Sequence, residues 1–384
     1  MRPTTRRPPS RAAADGAFVS GQRAPGGPAD SRPRKGRGAL SNPAGRFETL
    51  ESEAVDDGWP DDESEASAEP ESVVLTDAAR GVISRNQSPD VPFEQSVNPY
   101  RGCEHGCVYC YARPTHAWLG LSPGLDFETR LFYKPDAPAR LAEELARPGY
   151  RCRTIVLGAN TDPYQPVERR LGITRGLLEV LAAHRHPVSV VTKGALIERD
   201  LDLLAGLAAD GLASVMVSVT TLDDELKRTL EPRTAAPARR LAVIRRVADA
   251  GVPVGTLIAP VIPAINDHEL EDILAAAAAA GADCAAWILL RLPHEVRALF
   301  EEWLHEHLPD RAERVLSLLR QARGGRDNDP RFGHRMRGSG PWVDLLERRF
   351  ALACRRLGLR VGERRDLATD LFRPPGAADQ LVLL

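Results

Sequence analysis

Cys103, Cys107 and Cys110 stand in a C-x3-C-x2-C spacing, with Tyr109 directly before the last cysteine. Three thiolates on one tight loop can hold three corners of a cubane iron–sulfur cluster, leaving the fourth iron open to bind something else. Zinc is the alternative. It needs a fourth ligand, which His105 or His116 could supply, yet neither belongs to the paired half-site that usually marks a zinc centre. The remaining cysteines read differently: Cys152 precedes a strand, and Cys284 and Cys354 fall in apolar stretches that suit small buried side chains.

The elements that must position this loop alternate short β-branched runs with longer amphipathic stretches, the pattern of βα units around a parallel sheet. Strands are expected near Phe93–Asn98, Thr154–Leu157, Val188–Val191, Ser214–Val219, Val254–Ile258 and Ala285–Leu290. Helices are expected at 136–147, 174–184, 198–209, 238–250 and 267–280, each about the length a crossover requires. Six such units make an α/β fold, either an open barrel or a doubly wound sheet. Phe127–Tyr133 is a candidate extra edge strand, and helices are expected again at 296–306, 310–322 and 342–356. In parallel α/β architectures chemistry sits on the loops leaving the C-terminal strand ends. Here those loops are polar: Pro99–Cys103, Gly158–Gln165, Thr192–Gly194, Thr220–Thr221, Ala259–Pro263 and Arg291–His294.

The cysteine motif after the first of six strands, with the run Asn98–Arg113 around it and Thr161–Glu168 after the second strand, resembles the radical S-adenosylmethionine (radical SAM) superfamily, in its spore photoproduct lyase-related branch. The resemblance covers about residues 90–295. It implies a partial (β/α)6 TIM-like barrel, a 4Fe-4S cluster on Cys103, Cys107 and Cys110, and S-adenosylmethionine chelated at the open iron. It further implies reductive cleavage to methionine and a 5′-deoxyadenosyl radical that abstracts hydrogen from a substrate, as in a lyase or transferase. A modified nucleobase in DNA is the candidate substrate, and an electron donor such as flavodoxin or ferredoxin is the implied redox partner. The competing class is a non-catalytic zinc-binding module that binds nucleic acid.

By place in the superfamily pattern, Asn160, Thr161 and Asp162 fall where the methionine amino group is contacted, and Thr192, Lys193, Ser218 and Thr220 where ribose and carboxylate are. A lysine at such a point pairs with a carboxylate. Arg233 anchors the same group or its loop, and Tyr109 stacks near the adenine or excludes water. The chain departs from the photoproduct lyases at the hydrogen donor: Gly158–Thr161, where they carry a cysteine, has none. Thymine-dimer lyase activity in the literal sense is therefore not expected, and Tyr164 and Tyr111 are the candidate replacement donors.

The net charge of -2 from 51 Lys+Arg and 53 Asp+Glu conceals segregation. Residues 1–46 carry ten basic and two acidic side chains, whereas residues 47–72 carry eleven acidic and no Lys or Arg. Composition predicts a disordered tail over 1–75, a core barrel over 76–295 and a helical C-terminal extension over 296–384. An arginine-rich loop, Arg323, Arg326, Arg331, His334, Arg335 and Arg337 with Phe332 among them, is a candidate nucleic-acid contact, diluted by Asp327 and Asp329. The longest apolar candidate, Ile273–Leu290, is broken by Gly281 and Asp283, and the N-terminus lacks a signal-peptide core, so a cytoplasmic protein without a membrane span is expected.

Overall fold

The computed structural model describes residues 31–48, 71–362 and 366–375. Within them the β-branched runs become strands β1 (Val73–Thr76), β2 (Ile83–Arg85), β3 (Gln95–Val97), β4 (Tyr100–Arg101), β5 (Arg130–Tyr133), β6 (Ile155–Leu157), β7 (Val188–Thr192), β8 (Ala213–Ser218), β9 (Val254–Val261), β10 (Cys284–Leu289) and β11 (Arg360–Val361). Eight of these form one sheet in the order β11-β10-β9-β8-β7-β6-β3-β2, parallel except for the antiparallel β2–β3 pair. The six parallel strands β3 and β6 to β10 are the six expected, in sequence order. They curl into a partial TIM-like barrel. Phe127–Tyr133 departs from expectation: its first part is a helical turn, Asp126–Thr129, and β5 joins β1 and β4 in a separate three-stranded sheet.

Strand alternation divides the core in two. Val188 and Val190 of β7, Val215 and Val217 of β8, and Ala285, Trp287 and Leu289 of β10 belong to the main core with the surrounding helices. The intervening residues Met216, Leu257, Cys284 and Ala286 form a separate cluster within the barrel. Gly255 makes that interior possible, because it pairs in register with Met216 and Cys284 and a Cβ there would collide with both sulfurs. The outer helices are α1 (Ala137–Leu145), α2 (Ile173–Ala183), α3 (Leu201–Ala209), α4 (Asp224–Leu230), α5 (Pro237–Asp249) and α6 (Leu270–Ala279). In α5 the buried stripe Arg240, Val243, Ile244 and Val247 follows the helical repeat. Beyond β10 the chain is helical: α7 (Val296–His307), α8 (Pro309–Ala322) and α9 (Pro341–Leu357).

Residues 31–48 fall within the stretch expected to be unstructured, yet Gly38, Ala39, Leu40 and Ser41 are buried against the cysteine loop. Composition misses this because much of the anchoring, including the bonds from Gly38 and Ala39 to Glu128, is done by backbone groups. The rest of the charge-segregated stretch, residues 1–30 and 49–70, lies outside the described residues. Among the described residues no helix is long and apolar enough to cross a membrane.

Candidate active site

The cysteine loop leaves the C-terminal side of β3 and turns at Gly102 and Gly106, whose φ values of 77° and 67° fall in the left-handed region that favours glycine. Backbone bonds close it: Gly106 N–H donates to Cys103 O at 3.3 Å and Cys110 N–H to Cys107 O at 3.2 Å. Gln165, from the loop after β6, fastens its start, accepting from Glu104 N at 2.9 Å and donating to Gly102 O at 3.3 Å. Cys103 and Cys107 are buried and Cys110 is partly buried. Burial pushes Cys103 well up, reinforced by Asp162 and the other two cysteines, and it also raises Cys107 and Cys110. Working against this, the backbone N–H groups of Asp162, beside Cys103, and of Ala112 and Arg113, beside Cys110, act to lower these two thiols.

That donor set bears on which metal centre fits. Apolar surroundings keep unligated thiols protonated, whereas N–H bonds to sulfur favour thiolate, the form that ligates iron–sulfur clusters. Among the described residues no group of three or more His, Cys, Asp or Glu side chains is arranged to hold a metal ion. Three cysteines on one loop suit three corners of a cubane, whose fourth iron stays open to another ligand. Each histidine has one ring nitrogen occupied: His105 Nδ1 lies 3.3 Å from Asp162, and His116 Nε2 lies 2.9 Å from Arg130 O with its ring edge-on to Phe127, while the buried His116 Nδ1 has no hydrogen-bond partner among the described residues.

Two buried ion pairs grip the loop. Arg113, fully buried, pairs with Glu128 and donates to Cys107 O at 2.9 Å, Gly106 O at 3.2 Å, Pro123 O at 3.1 Å and Gly124 O at 2.8 Å. Glu231, just past α4, pairs with Arg240 and accepts hydrogen bonds from Tyr109 Oη and from Thr220 Oγ1 at 2.7 Å. Lys193 Nζ stands 3.8 Å from the same carboxylate, 6.0 Å from the Tyr109 ring centre and 3.3 Å from Ala259 O. Burial works to raise the Glu231 carboxyl, but Arg240, Lys193 and the Tyr109 hydroxyl outweigh it and hold it at about 2. Sequence spacing singles out neither Arg113, Glu128 nor Arg240. The one available signal is a charged residue on an apolar stripe, Arg240 three positions before Val243; the Arg113–Glu128 pair has no such signature.

The structure brings most of the sequence candidates together. Asp162 accepts from Thr192 Oγ1 and Lys193 N, both at 2.7 Å, and these bonds with His105 hold its carboxyl low against the opposing effect of burial. Asn160 N and Thr161 N reach Asn98 Oδ1 at 2.9 and 3.4 Å, and Thr161 Oγ1 reaches Tyr100 O at 3.0 Å. Ser218 closes β8 and its carbonyl accepts from Arg240 at 3.0 Å. Arg233 approaches Glu104 at 3.4 Å, beside the loop. The two tyrosines part company. Tyr111 is half exposed, donates to Ala159 O and lies under the Arg291 guanidinium at 5.6 Å, whereas Tyr164 is buried with its hydroxyl beside Asp200.

The arginine-rich loop is largely spent internally. Arg323 is buried and donates to the carbonyls of Leu290 and His334, both at 2.8 Å, while Arg331 pairs with Asp329 and Arg335 with Asp90. Arg323 is thus a structural tie between α8 and the end of β10, a correction to its inclusion in a nucleic-acid surface.

Comparison with known proteins follows the same lines. The family model for the Radical SAM superfamily matches residues 97–277. An uncharacterized protein of Mycobacterium tuberculosis is 42% identical over 233 residues, which span 60% of this chain and 68% of that protein. The chain belongs to the radical SAM superfamily. Membership makes it an enzyme and implies a 4Fe-4S cluster and S-adenosylmethionine as its cofactors. A more distant relative, an uncharacterized protein of Methanocaldococcus jannaschii, is 25% identical over 173 residues, 45% of this chain and 62% of that protein. Spore photoproduct lyase complexed with dinucleoside spore photoproduct shares the fold, with a TM-score of 0.54 at 17% identity over 75% of this chain and 81% of that one. A double mutant of the lyase with bound AdoMet and the same dinucleoside gives 0.53.

Proposed function

We propose that this radical SAM enzyme binds a 4Fe-4S cluster through Cys103, Cys107 and Cys110 and uses it to abstract hydrogen from a substrate, with a modified nucleobase in DNA as the class to test first. The observation that carries the reading is the donor set: three thiols on one glycine-turned loop, two buried and one partly buried, with backbone N–H groups beside two of them that favour thiolate. When bound, the cofactors supply one-electron cleavage of S-adenosylmethionine to methionine and a 5′-deoxyadenosyl radical.

The chain's own residues hold, orient and shield. Lys193, beside Tyr109, offers an ammonium to the methionine carboxylate, and Glu231 keeps that ammonium and the Tyr109 hydroxyl in place. Asp162 fixes the β7 end through Thr192 and Lys193 N, so the amino-group contacts of Asn160 and Thr161 and the carboxylate contact of Lys193 share one anchor. Ser218 and Thr220 close the ribose side, and Arg233 braces the loop through Glu104. Tyr111, half exposed where Tyr164 is buried, is the more accessible hydrogen donor to a product radical. Flavodoxin or ferredoxin suits the reductant, and the cytoplasm the compartment.

Anaerobic reconstitution with iron and sulfide tests the site: about four irons per chain is expected of a cubane. Zinc-loaded, colourless protein would support the metal-binding, nucleic-acid-binding alternative instead. Cys107→Ala is expected to abolish formation of 5′-deoxyadenosine, and unchanged turnover removes the assignment. Deuterium transfer from labelled damaged oligonucleotides into 5′-deoxyadenosine then tests the substrate class.

A further inference from the structure

The N-terminal segment 36–45 crosses the back of the cysteine loop and contacts it through its own main chain. Gly38 is packed so closely that a Cβ there would overlap the carbonyl oxygen of Gly106, between Cys103 and Cys107. Gly38 N–H and Ala39 N–H donate to the two oxygens of Glu128 at 3.0 and 2.9 Å, and Arg37 Nη1 donates to Glu128 O at 3.1 Å. Glu128 is itself fully buried and paired with Arg113, whose remaining donors hold the carbonyls of Gly106 and Cys107. An unbroken chain of polar contacts therefore runs from Gly38 through Glu128 and Arg113 to the peptide between two cysteines.

The same segment is fastened farther along. Asn42 exchanges two hydrogen bonds with Asp126, at 3.1 Å from its Nδ2 and 3.0 Å to its Oδ1, and Ser41 O accepts from Leu125 N at 3.3 Å. Ser122 Oγ donates to Pro43 O at 2.5 Å, and Ser41 Oγ to Glu302 of α7 at 2.6 Å. Nothing in folding the barrel alone requires these contacts, since the segment is no part of the sheet.

We infer that residues 36–45 form a strap that positions the cysteine loop to retain its cluster, with Glu128 and Arg113 as the positioning residues. The inference rests on the cluster reading above and extends it to a segment outside the matched family region. A loop held at its backbone loses less freedom on ligation, so the strap lowers the escape of iron. Linkage makes the effect reciprocal: a bound cluster holds the strap down by the same factor.

The test uses the full chain, loaded anaerobically with iron and sulfide. In the unaltered protein, trypsin cleavage after Arg34, Lys35 and Arg37, read by mass spectrometry, is expected to slow about tenfold on loading, within the usual range of coupling between two sites. Gly38→Val, which forces strap and loop apart, is expected to speed iron release to a chelator about tenfold and to erase the tryptic protection. Asn42→Ala unfastens the strap away from the cysteines and is expected to give a smaller acceleration in the same direction, so the inference stands even if Gly38→Val folds poorly. Melting of the iron-free Asn42→Ala protein at the unaltered temperature separates loop positioning from global stability. If the unaltered chain takes up no iron, the cluster reading fails. If it loads while both variants release iron at its rate, or if loading leaves strap cleavage unchanged, the strap inference is overturned.

Discussion

Two buried glutamate–arginine pairs flank one loop and spend themselves differently. Arg113–Glu128 is saturated by main chain: four carbonyls on the arginine, two strap N–H groups on the glutamate. In Glu231–Arg240 the arginine also holds two carbonyls, Ala235 O and Ser218 O, but the glutamate meets side chains, Tyr109, Thr220 and Lys193. A pair bonded to backbone fixes shape, because its partners have no other conformation to offer. A pair bonded to side chains sets their charge and aim. The same chemical unit therefore fastens backbone through one glutamate and sets the charge and aim of neighbouring side chains through the other.

Loss of the fastener should cost the most. Arg113→Met leaves the Glu128 carboxylate buried without a cation, and a loss of roughly 3–5 kcal/mol is expected in denaturant unfolding of the iron-free chain. A midpoint equal to that of the unaltered protein would dissolve the contrast between the two pairs.

Acid separates the two sides next. Burial lowers His116, behind the loop and within reach of Arg113 and Asp126, to about 4. A folded value below the usual 6.5 means that the unfolded chain binds the proton first, so stability falls as pH drops from about 6.5 towards 4. Up to roughly 3 kcal/mol is at stake. His186, lowered to about 4 as well, adds to the same window from the far side of the barrel. His116→Gln should flatten part of that slope in chemical-denaturation curves recorded across the window. An unaltered slope assigns the whole effect elsewhere.

Removing charge while keeping shape distinguishes the pairs more finely. Glu231→Gln is expected to weaken S-adenosylmethionine binding to the loaded protein about tenfold, whereas Glu128→Gln changes that affinity far less and shows its effect in stability. Equal affinity losses in the two variants would mean that both pairs act by shape alone. The smallest effect is expected from Lys193→Met: Glu231 keeps Arg240 as its partner, so a stability loss of about 1 kcal/mol is expected, while binding calorimetry records weakened S-adenosylmethionine affinity.

Much of the barrel and its cysteine loop is legible in the sequence. The six strands stand out because buried parallel strands must be runs such as Ile155–Leu157 and Val188–Thr192, and the crossover helices because their apolar stripes recur at helical spacing. The cysteine loop stands out because its ligands are neighbours in the chain. Position after a strand is enough to bring Asp162, Thr192, Lys193 and Thr220 to one end of the barrel. Arg113 and Glu128 give no such signal because their partners are carbonyls and amides, which every residue carries. The strap is hidden for the same reason, under a composition rich in glycine and proline that elsewhere signals an unstructured chain.

Local pattern and spacing thus carry the superfamily, the order of the strands and the three cysteines. The folded arrangement is needed to assign each buried charge its partners, to leave Tyr111 half exposed and Tyr164 buried, to make Arg323 structural, and to bring residues 36–45 to the cysteines at all. Those facts depend on contacts between groups far apart in the chain, many with a backbone amide or carbonyl on one side, and a backbone group leaves no mark in the sequence of side chains.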